Sequence, residues 1–194
     1  MKTIKELSQI CTTRQAEVIN FLNFLEAETS WLTAPASTRF HLCKEGGLIE
    51  HSVGVTETLL QLKNNLAPQI SDESCVIVAL FHDIGKVGFP GIPYYLKNTN
   101  EWEIKNRGRH YTVNQECTTM NIATRSLHII SPHIELFPEE AQTIAAHDGL
   151  YPTNGGVVNL DYHMQEEPLT LLLQFADKWT AAIHEDGRKI KERP

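Results

Sequence analysis

The residues in this chain best suited to chemistry are His82 and Asp83, adjacent at the end of the apolar run 75–81, with Gly85 and Lys86 just beyond. An imidazole beside a carboxylate offers two ligands to a divalent transition metal. Lys86 adds a mobile positive charge suited to an anionic oxygen. Burying such a pair is costly unless it is paired or metallated. The doublet alone leaves two readings open: a His and an Asp that satisfy each other at a helix end, or half of a metal site.

Other elements must bring further donors for the second reading to hold. Residues 4–28 read as a first helix, with Ile4, Leu7, Ile10 and Cys11 on one face and Val18, Leu22 and Leu25 following at helical spacing. Thr33-Ala34-Pro35-Ala36 breaks it, and residues 37–47 form an irregular lead-in that carries His41 toward a site mouth. A helix over about 48–66 places Leu48, His51, Val55, Leu59 and Leu62 on one stripe, so His51 faces inward. A core histidine bonded to a backbone carbonyl is the plain alternative for it. Ser71-Asp72-Glu73-Ser74 offers an N-cap for a third helix through His82, on which Ile77, Leu80, Phe81 and Ile84 reach the core. His82 and Asp83 then reach one ion opposite His51, and Gly85 ends the helix so that Lys86 turns toward the site.

Residues 87–103 read as a loop because of Gly88, Pro90, Gly91 and Pro93. Its aromatic residues Phe89, Tyr94, Tyr95 and Trp102 either anchor it or line a pocket for a flat group. A fourth helix is expected over 111–127, with His110 at its start, where free N–H groups favour a ligand or phosphate. A fifth runs from Pro138 to His147 with Glu139 and Glu140 in its first turn, and Gly149 stops it. After an irregular stretch over 149–168, rich in turn residues from Tyr151 to Gly156, the last helix spans about 168–184. Asp177 sits there amid Leu169, Leu172, Leu173, Ala176, Thr180 and Ile183. A carboxylate so placed needs a metal, a histidine or Lys178 to compensate it.

The 194 residues suffice for a single domain over 1–194 with a sizeable core. The net charge of -7 gives no general attraction to a nucleic-acid backbone, although a bound cation can attract a few phosphates locally. Local basic groups occur at Lys105, Arg107 and Arg109, next to His110, and at Arg188, Lys189, Lys191 and Arg193, which read as a solvated tail. Cys11, Cys43, Cys75 and Cys117 form no CxxC pair and fit buried thiols in a reducing cytoplasm. No run approaches a membrane span, and the first residues lack the apolar region of a signal peptide. Neither a Cys-His nor a Ser-His-Asp arrangement is evident, so no side-chain nucleophile is expected.

The text around the doublet resembles the signature of the HD superfamily of metal-dependent phosphohydrolases. The upstream match is His51 in Gly46-Gly47-Leu48-Ile49-Glu50-His51-Ser52, and the downstream one is Asp177 in Phe175-Ala176-Asp177-Lys178-Trp179. The resemblance implies an all-α fold of about six to seven helices in which His51, His82, Asp83 and Asp177 hold a metal. Two-metal branches of the superfamily, including a cyclic-dinucleotide phosphodiesterase branch, add histidines that match His110 and His147, with Asp83 bridging. The segment from Ala146 to Pro152 has one histidine where that branch has two, with His128 or His133 as substitutes. The expected cofactor is one or two divalent ions from among manganese, zinc, iron, nickel and magnesium. Asp83 and Lys86 are the catalytic candidates, and Lys86, Arg107, Arg109 and Tyr94 the substrate-binding ones. The Gly-Gly-Leu and His-Asp-Ile-Gly-Lys text is also similar to a 3′-to-5′ exoribonuclease branch, whose added nucleic-acid-binding domain has no room here. A small nucleotide is therefore the expected substrate, ahead of a cyclic dinucleotide or short single strand. A nucleotide-binding module without turnover is the contrasting reading, and a homo-oligomer contact is an alternative use of the aromatics over 89–102.

Overall fold

A computed structural model describes residues 2–149 and 166–186. The turn-rich text around Tyr151, Pro152 and Val157, and the basic group from Arg188 to Arg193, lie outside the described residues. The chain starts with α1 (Ile4–Ser8) and α2 (Gln15–Glu28), followed by α3 (Gly47–Leu66) and α4 (Asp72–Phe81). A 3-10 turn over Ile84–Val87 leads to β1 (Tyr95–Lys97), α5 (Glu101–Arg107) and β2 (Tyr111–Val113). Then come α6 (Ile122–Ile130), α7 (Pro138–Ala145) and α8 (Pro168–Trp179), which runs on as a π-helical turn over Thr180–Glu185. The architecture is predominantly helical, as expected, with eight α-helices among the described residues.

The centre is α3, packed along α4 on one side and α8 on another. The mostly apolar run of α4 explains why: Cys75, Val76, Ile77, Val78, Ala79, Leu80 and Phe81 are all fully buried. Burying Val-, Leu- or Phe-sized side chains contributes about 1.5–3 kcal/mol each. Ser71 caps the helix, accepting from the Ser74 N–H. No described helix is long and apolar enough to cross a membrane.

Three local expectations need correction. The helix expected over 4–28 is two helices, because Thr12, Thr13 and Arg14 turn their N–H groups onto one carboxylate oxygen of Glu73. Those bonds satisfy the donors that a continuous helix would have used internally. The helix expected over 111–127 is instead a strand, a turn and a later helix. Tyr111–Val113 pairs antiparallel with Tyr95–Lys97 inside the expected loop. Asn114 then holds the turn, accepting from the Glu116 N–H and donating to the Pro93 carbonyl. The helix begins only where Asn121 caps it by accepting from the Thr124 N–H at 2.7 Å. Asparagine competes for backbone groups in this way, and that outweighed the apolar spacing.

The third correction concerns Gly85. The α-helix stops earlier, at Phe81, and Gly85 lies inside the 3-10 turn. A Cβ there would stand 2.3 Å from the Ile122 carbonyl oxygen. Glycine is required by this close approach to α6. Ser126 accepts from the Gly85 N–H and Arg125 donates to its carbonyl, so α6 grips the turn that carries Lys86 from both sides.

Candidate metal centre

Four helices deliver the donors. The second turn of α3 supplies His51, the end of α4 supplies His82 and then Asp83, the end of α7 supplies His147, and α8 supplies Asp177. His51, His82, Asp83 and His147 are all buried, and their exposure never exceeds 5%. The imidazoles of His41, His51, His82 and His147 form a row with ring centroids 5.0, 5.4 and 4.9 Å apart.

Asp83 is the hub. Its Oδ2 lies 3.7 Å from His51 Nε2 and 3.6 Å from His82 Nε2, and its Oδ1 lies 3.5 Å from His147 Nε2. Asp177 Oδ1 reaches His51 Nε2 at 3.1 Å. Lys86 pairs with Asp83 Oδ2. One ligand atom each from His51, His82 and Asp83 lies within 4.8 Å of the others, close enough to share one ion.

Each of the three central rings is held by its other nitrogen. His82 Nδ1–H donates to the Ala79 carbonyl at 2.9 Å and His147 Nδ1–H to the Ile144 carbonyl at 2.8 Å. His51 Nδ1 meets Glu185 Oε1 at 2.9 Å. All three Nε2 atoms therefore face Asp83. A donor set of imidazole nitrogens and carboxylate oxygens suits a divalent transition metal. The most telling atom is His82 Nε2, buried and without a hydrogen-bond partner. Buried polar atoms are rarely left so, and here a cation would satisfy it. The residues present fit a metal.

The charges follow from the same geometry. Burial pushes the His82 pKa down to about 4, despite Asp83, so its ring is neutral with a lone pair on Nε2. Burial also opposes a proton on His51, but the hydrogen bonds to Asp177 and Glu185 outweigh it and raise that pKa to about 9. His147 is raised to about 9 against burial by its contact with Asp83. Burial would raise the Asp83 carboxyl, yet Lys86, His82 and His147 hold it well below the usual range. Asp177 falls to about 2 because His51 outweighs its burial. Asp83, buried, and Asp177, half-buried, are thus both ionised beside the three imidazoles, an arrangement that attracts cations.

The other sequence candidates are placed elsewhere. His110 is exposed on the hairpin, where its backbone bonds to Thr38 and Asn98, and it belongs to neither of the donor groups found among the described residues, His51-His82-Asp83 and His41-His51-Glu185. It does not open a helix, because that helix starts at Asn121. Arg107 and Arg109 turn to Glu103, at 3.7 and 3.6 Å, and Arg107 also lies over the Trp102 ring. Tyr94 stacks beneath Arg125 at 4.1 Å. His133 packs on Phe21 and Phe24, and His128 on Phe89.

Three nearby groups had no role in the sequence motif. Glu185 carries no signal, since it lies beyond the matched aspartate in a π-helical turn, out of phase with α-helical spacing. Asp148, whose carboxylate is 3.5 Å from His147 Nε2, is hidden by its apparent service as a turn residue. Tyr95, rather than Tyr94, feels both Lys86 and Asp83; burial and Asp83 outweigh Lys86 and raise its pKa to about 12. The groove lined by Ile70, Ser71, Phe137, Gln142 and Leu169 lies apart, with no histidine in its walls.

A family model described as HD domain matches residues 48–182, which takes in His51, His82, Asp83, His147 and Asp177. Neither a curated protein nor a solved structure matches the chain.

Proposed function

This chain belongs to the HD-domain family and is a metal-dependent phosphohydrolase; from that premise we propose that it cleaves a phosphate ester or phosphoanhydride of a small nucleotide. The observation that carries the proposal is the buried, unpartnered Nε2 of His82, aimed with two other imidazole nitrogens at Asp83. His51, His82, Asp83 and Asp177 would hold the ion. When bound, it supplies positive charge against the phosphoryl oxygens and lowers the pKa of water within its reach.

The chain's own residues do the rest. Asp83 spans the centre, one oxygen toward His51 and His82 and the other toward His147. Lys86, kept charged by Asp83 against its burial, exchanges that partner for a non-bridging phosphate oxygen. His147 Nε2, on the far side of Asp83, gives a proton to the leaving oxygen. If a second ion binds, His147 and Asp148 would be its donors in place of that proton transfer. Tyr95 borders Lys86 and offers a phenol to the sugar or base.

The preference for a small substrate rests on charge and depth. His51, His82, Asp83 and His147 are buried, and a net charge of -7 supplies no broad basic track for a polymer. The four free cysteines favour a reducing compartment, and we place the protein in the cytoplasm.

Elemental analysis of protein never exposed to chelator, paired with a hydrolysis screen, tests the proposal. The screen spans nucleoside mono-, di- and triphosphates, cyclic dinucleotides and a short RNA. At least one ion per chain and turnover of a mononucleotide are expected. Two ions, falling toward one in His147→Ala, would assign His147 to a second ion instead of the leaving group. Turnover of only the RNA or only a cyclic dinucleotide would overturn the substrate class. Bound nucleotide with no turnover would make the chain a binding module. Absence of metal would overturn the mechanism.

A further inference from the structure

We propose that Glu185 is a positioning residue for the metal centre: bridging His41 and His51, it fixes a proton on His51 Nδ1 and so commits Nε2 to the ion. This inference rests on the metal-centre reading above.

The argument begins with what the three rings lack. His82 and His147 stand at the ends of α4 and α7, where the last carbonyls of a helix have no intrahelical donor. Each ring simply donates Nδ1–H to the carbonyl three residues back, Ala79 and Ile144. His51 has no such recourse. It sits near the start of α3, where the carbonyls preceding it accept the helix's own N–H groups. Its Nδ1 needs an acceptor from elsewhere, and Glu185 Oε1 supplies one at 2.9 Å. The other oxygen of Glu185 is taken by His41 Nδ1. The carboxylate's side chain is only 6% exposed, so it is held in place rather than loosely paired.

Backbone geometry shows how one helix does this. Asp177 and Glu185 engage opposite nitrogens of the same imidazole, Nε2 at 3.1 Å and Nδ1 at 2.9 Å. In a regular α-helix, positions eight apart lie about 80° out of phase. The π-helical turn over Thr180–Glu185 alters that phase and brings Glu185 back over His51. Such turns are rare and cluster at functional sites. Opposite, Gly54 leaves the room: a Cβ there would sit 3.0 Å from Thr180 Cγ2 and 4.0 Å from Glu185 Oε1. A carboxylate behind a ligating imidazole orients the ring and raises its basicity, and its loss commonly lowers metal affinity about 10–100-fold.

The test uses the full chain and two readouts independent of turnover. The first is the affinity for Zn²⁺ and for Mn²⁺, each alone, by chelator competition. The second is the His51 Nδ1–H signal in ¹⁵N-histidine protein loaded with Zn²⁺. Glu185→Ala should weaken both ions about 10–100-fold and expose the Nδ1 proton to fast exchange. Glu185→Gln, whose amide oxygen still accepts, should lose less and keep the signal, and His41→Ala should fall between the parent and Glu185→Ala. A thermal melt of each metal-free variant checks folding. Should Glu185→Ala fail to fold, Glu185→Gln with its retained signal and reduced affinity carries the test. Affinity and signal both equal to the parent's in the variants would overturn the role of Glu185 alone. Loss of one whole ion with the rest bound normally would make Glu185 a ligand and overturn positioning. A parent that holds no ion would overturn this inference together with the reading beneath it.

Discussion

Two clusters of buried charge among the described residues differ in what they leave unpaired. One is Arg14 with Glu73 and Glu140. The guanidinium holds both oxygens of Glu140 at 2.7 Å, Glu73 Oε1 at 2.9 Å and the Glu135 carbonyl at 2.8 Å. Glu73 Oε2 takes three backbone N–H groups, and Glu140 takes the Phe137 N–H. The cluster ties together the starts of α2, α4 and α7, and both carboxylates stand where the helix dipole favours them. The other cluster, around Asp83, leaves His82 Nε2 with no partner and holds several contacts at 3.5–3.7 Å. A saturated buried network has no affinity left for a ligand, whereas an unsaturated one has kept its affinity for something else. Burial and charge do not separate structure from function here, but the hydrogen-bond count does.

The largest effect should come from breaking the unsaturated cluster. Asp83→Ala removes the hub, and the loss of several kcal/mol of transition-state stabilisation corresponds to a rate lower by about 10³-fold or more. Added metal should stabilise the parent by about 2.7 kcal/mol at a hundred times its dissociation constant. That increment should vanish in Asp83→Ala. Rate assays and melts with and without metal read both effects, and an undiminished rate would refute the assignment of Asp83.

Breaking the saturated cluster should do the reverse. Arg14→Met leaves two carboxylates buried without their cation, at a cost of about 3–5 kcal/mol of stability. The variant should unfold earlier in urea yet keep the parent's turnover per folded molecule and its stabilisation by metal. A change in metal affinity would mean that the two clusters are coupled through α4 and α7.

The two clusters were not equally legible in the sequence. His51, His82, Asp83 and Asp177 could be read because each sits in a motif or on a helical stripe, and backbone period fixes which face a side chain takes. His147 stood out because the text from Ala146 to Pro152 resembles that of the two-metal branches. His110 was misplaced because apolar spacing over 111–127 resembled a helix, while the decisive local signals were the asparagines at 114 and 121. The Arg14 cluster left no trace, since its members are 59 and 126 positions apart and pair only through the tertiary fold. Glu185 was invisible for another reason. Its role depends on a change of helical phase over Thr180–Glu185 that no residue type announces.

A smaller effect separates position from composition. Gly85→Ala keeps every donor of the centre but drives a Cβ to 2.3 Å from the Ile122 carbonyl. Overpacking of this kind costs up to about 3 kcal/mol. Because the displaced turn carries Lys86, turnover should fall while bound metal remains, a split that Asp83→Ala cannot give. Full turnover in a destabilised Gly85→Ala would mean that Lys86 needs no fixed turn.

The smallest effect is the pH dependence of the saturated cluster. Burial would raise the Glu73 carboxyl, but the hydrogen bonds from Arg14 and the backbone N–H groups outweigh it and hold the pKa below its ordinary value. A carboxyl depressed in the folded state stabilises the protein above its unfolded pKa, about 4.3. That contribution is lost as pH falls through the lower folded value, where both states become protonated. Glu73→Gln keeps an acceptor for the backbone but loses the charge facing Arg14, so near pH 6 it should be less stable by about 1.5 kcal/mol. Urea unfolding at pH 6, 4 and 3 should show the gap to the parent closing as the acid limit is approached. Asp83 and Asp177 are depressed too, so the parent retains an acid slope after Glu73 is removed. With saturating metal that remaining slope should steepen, because protons then compete with the ion for the centre. The slope difference between parent and Glu73→Gln should not change with metal. A metal-dependent difference would show that Glu73 belongs to the centre electrostatically, and the division between a saturated and an unsaturated cluster would fail.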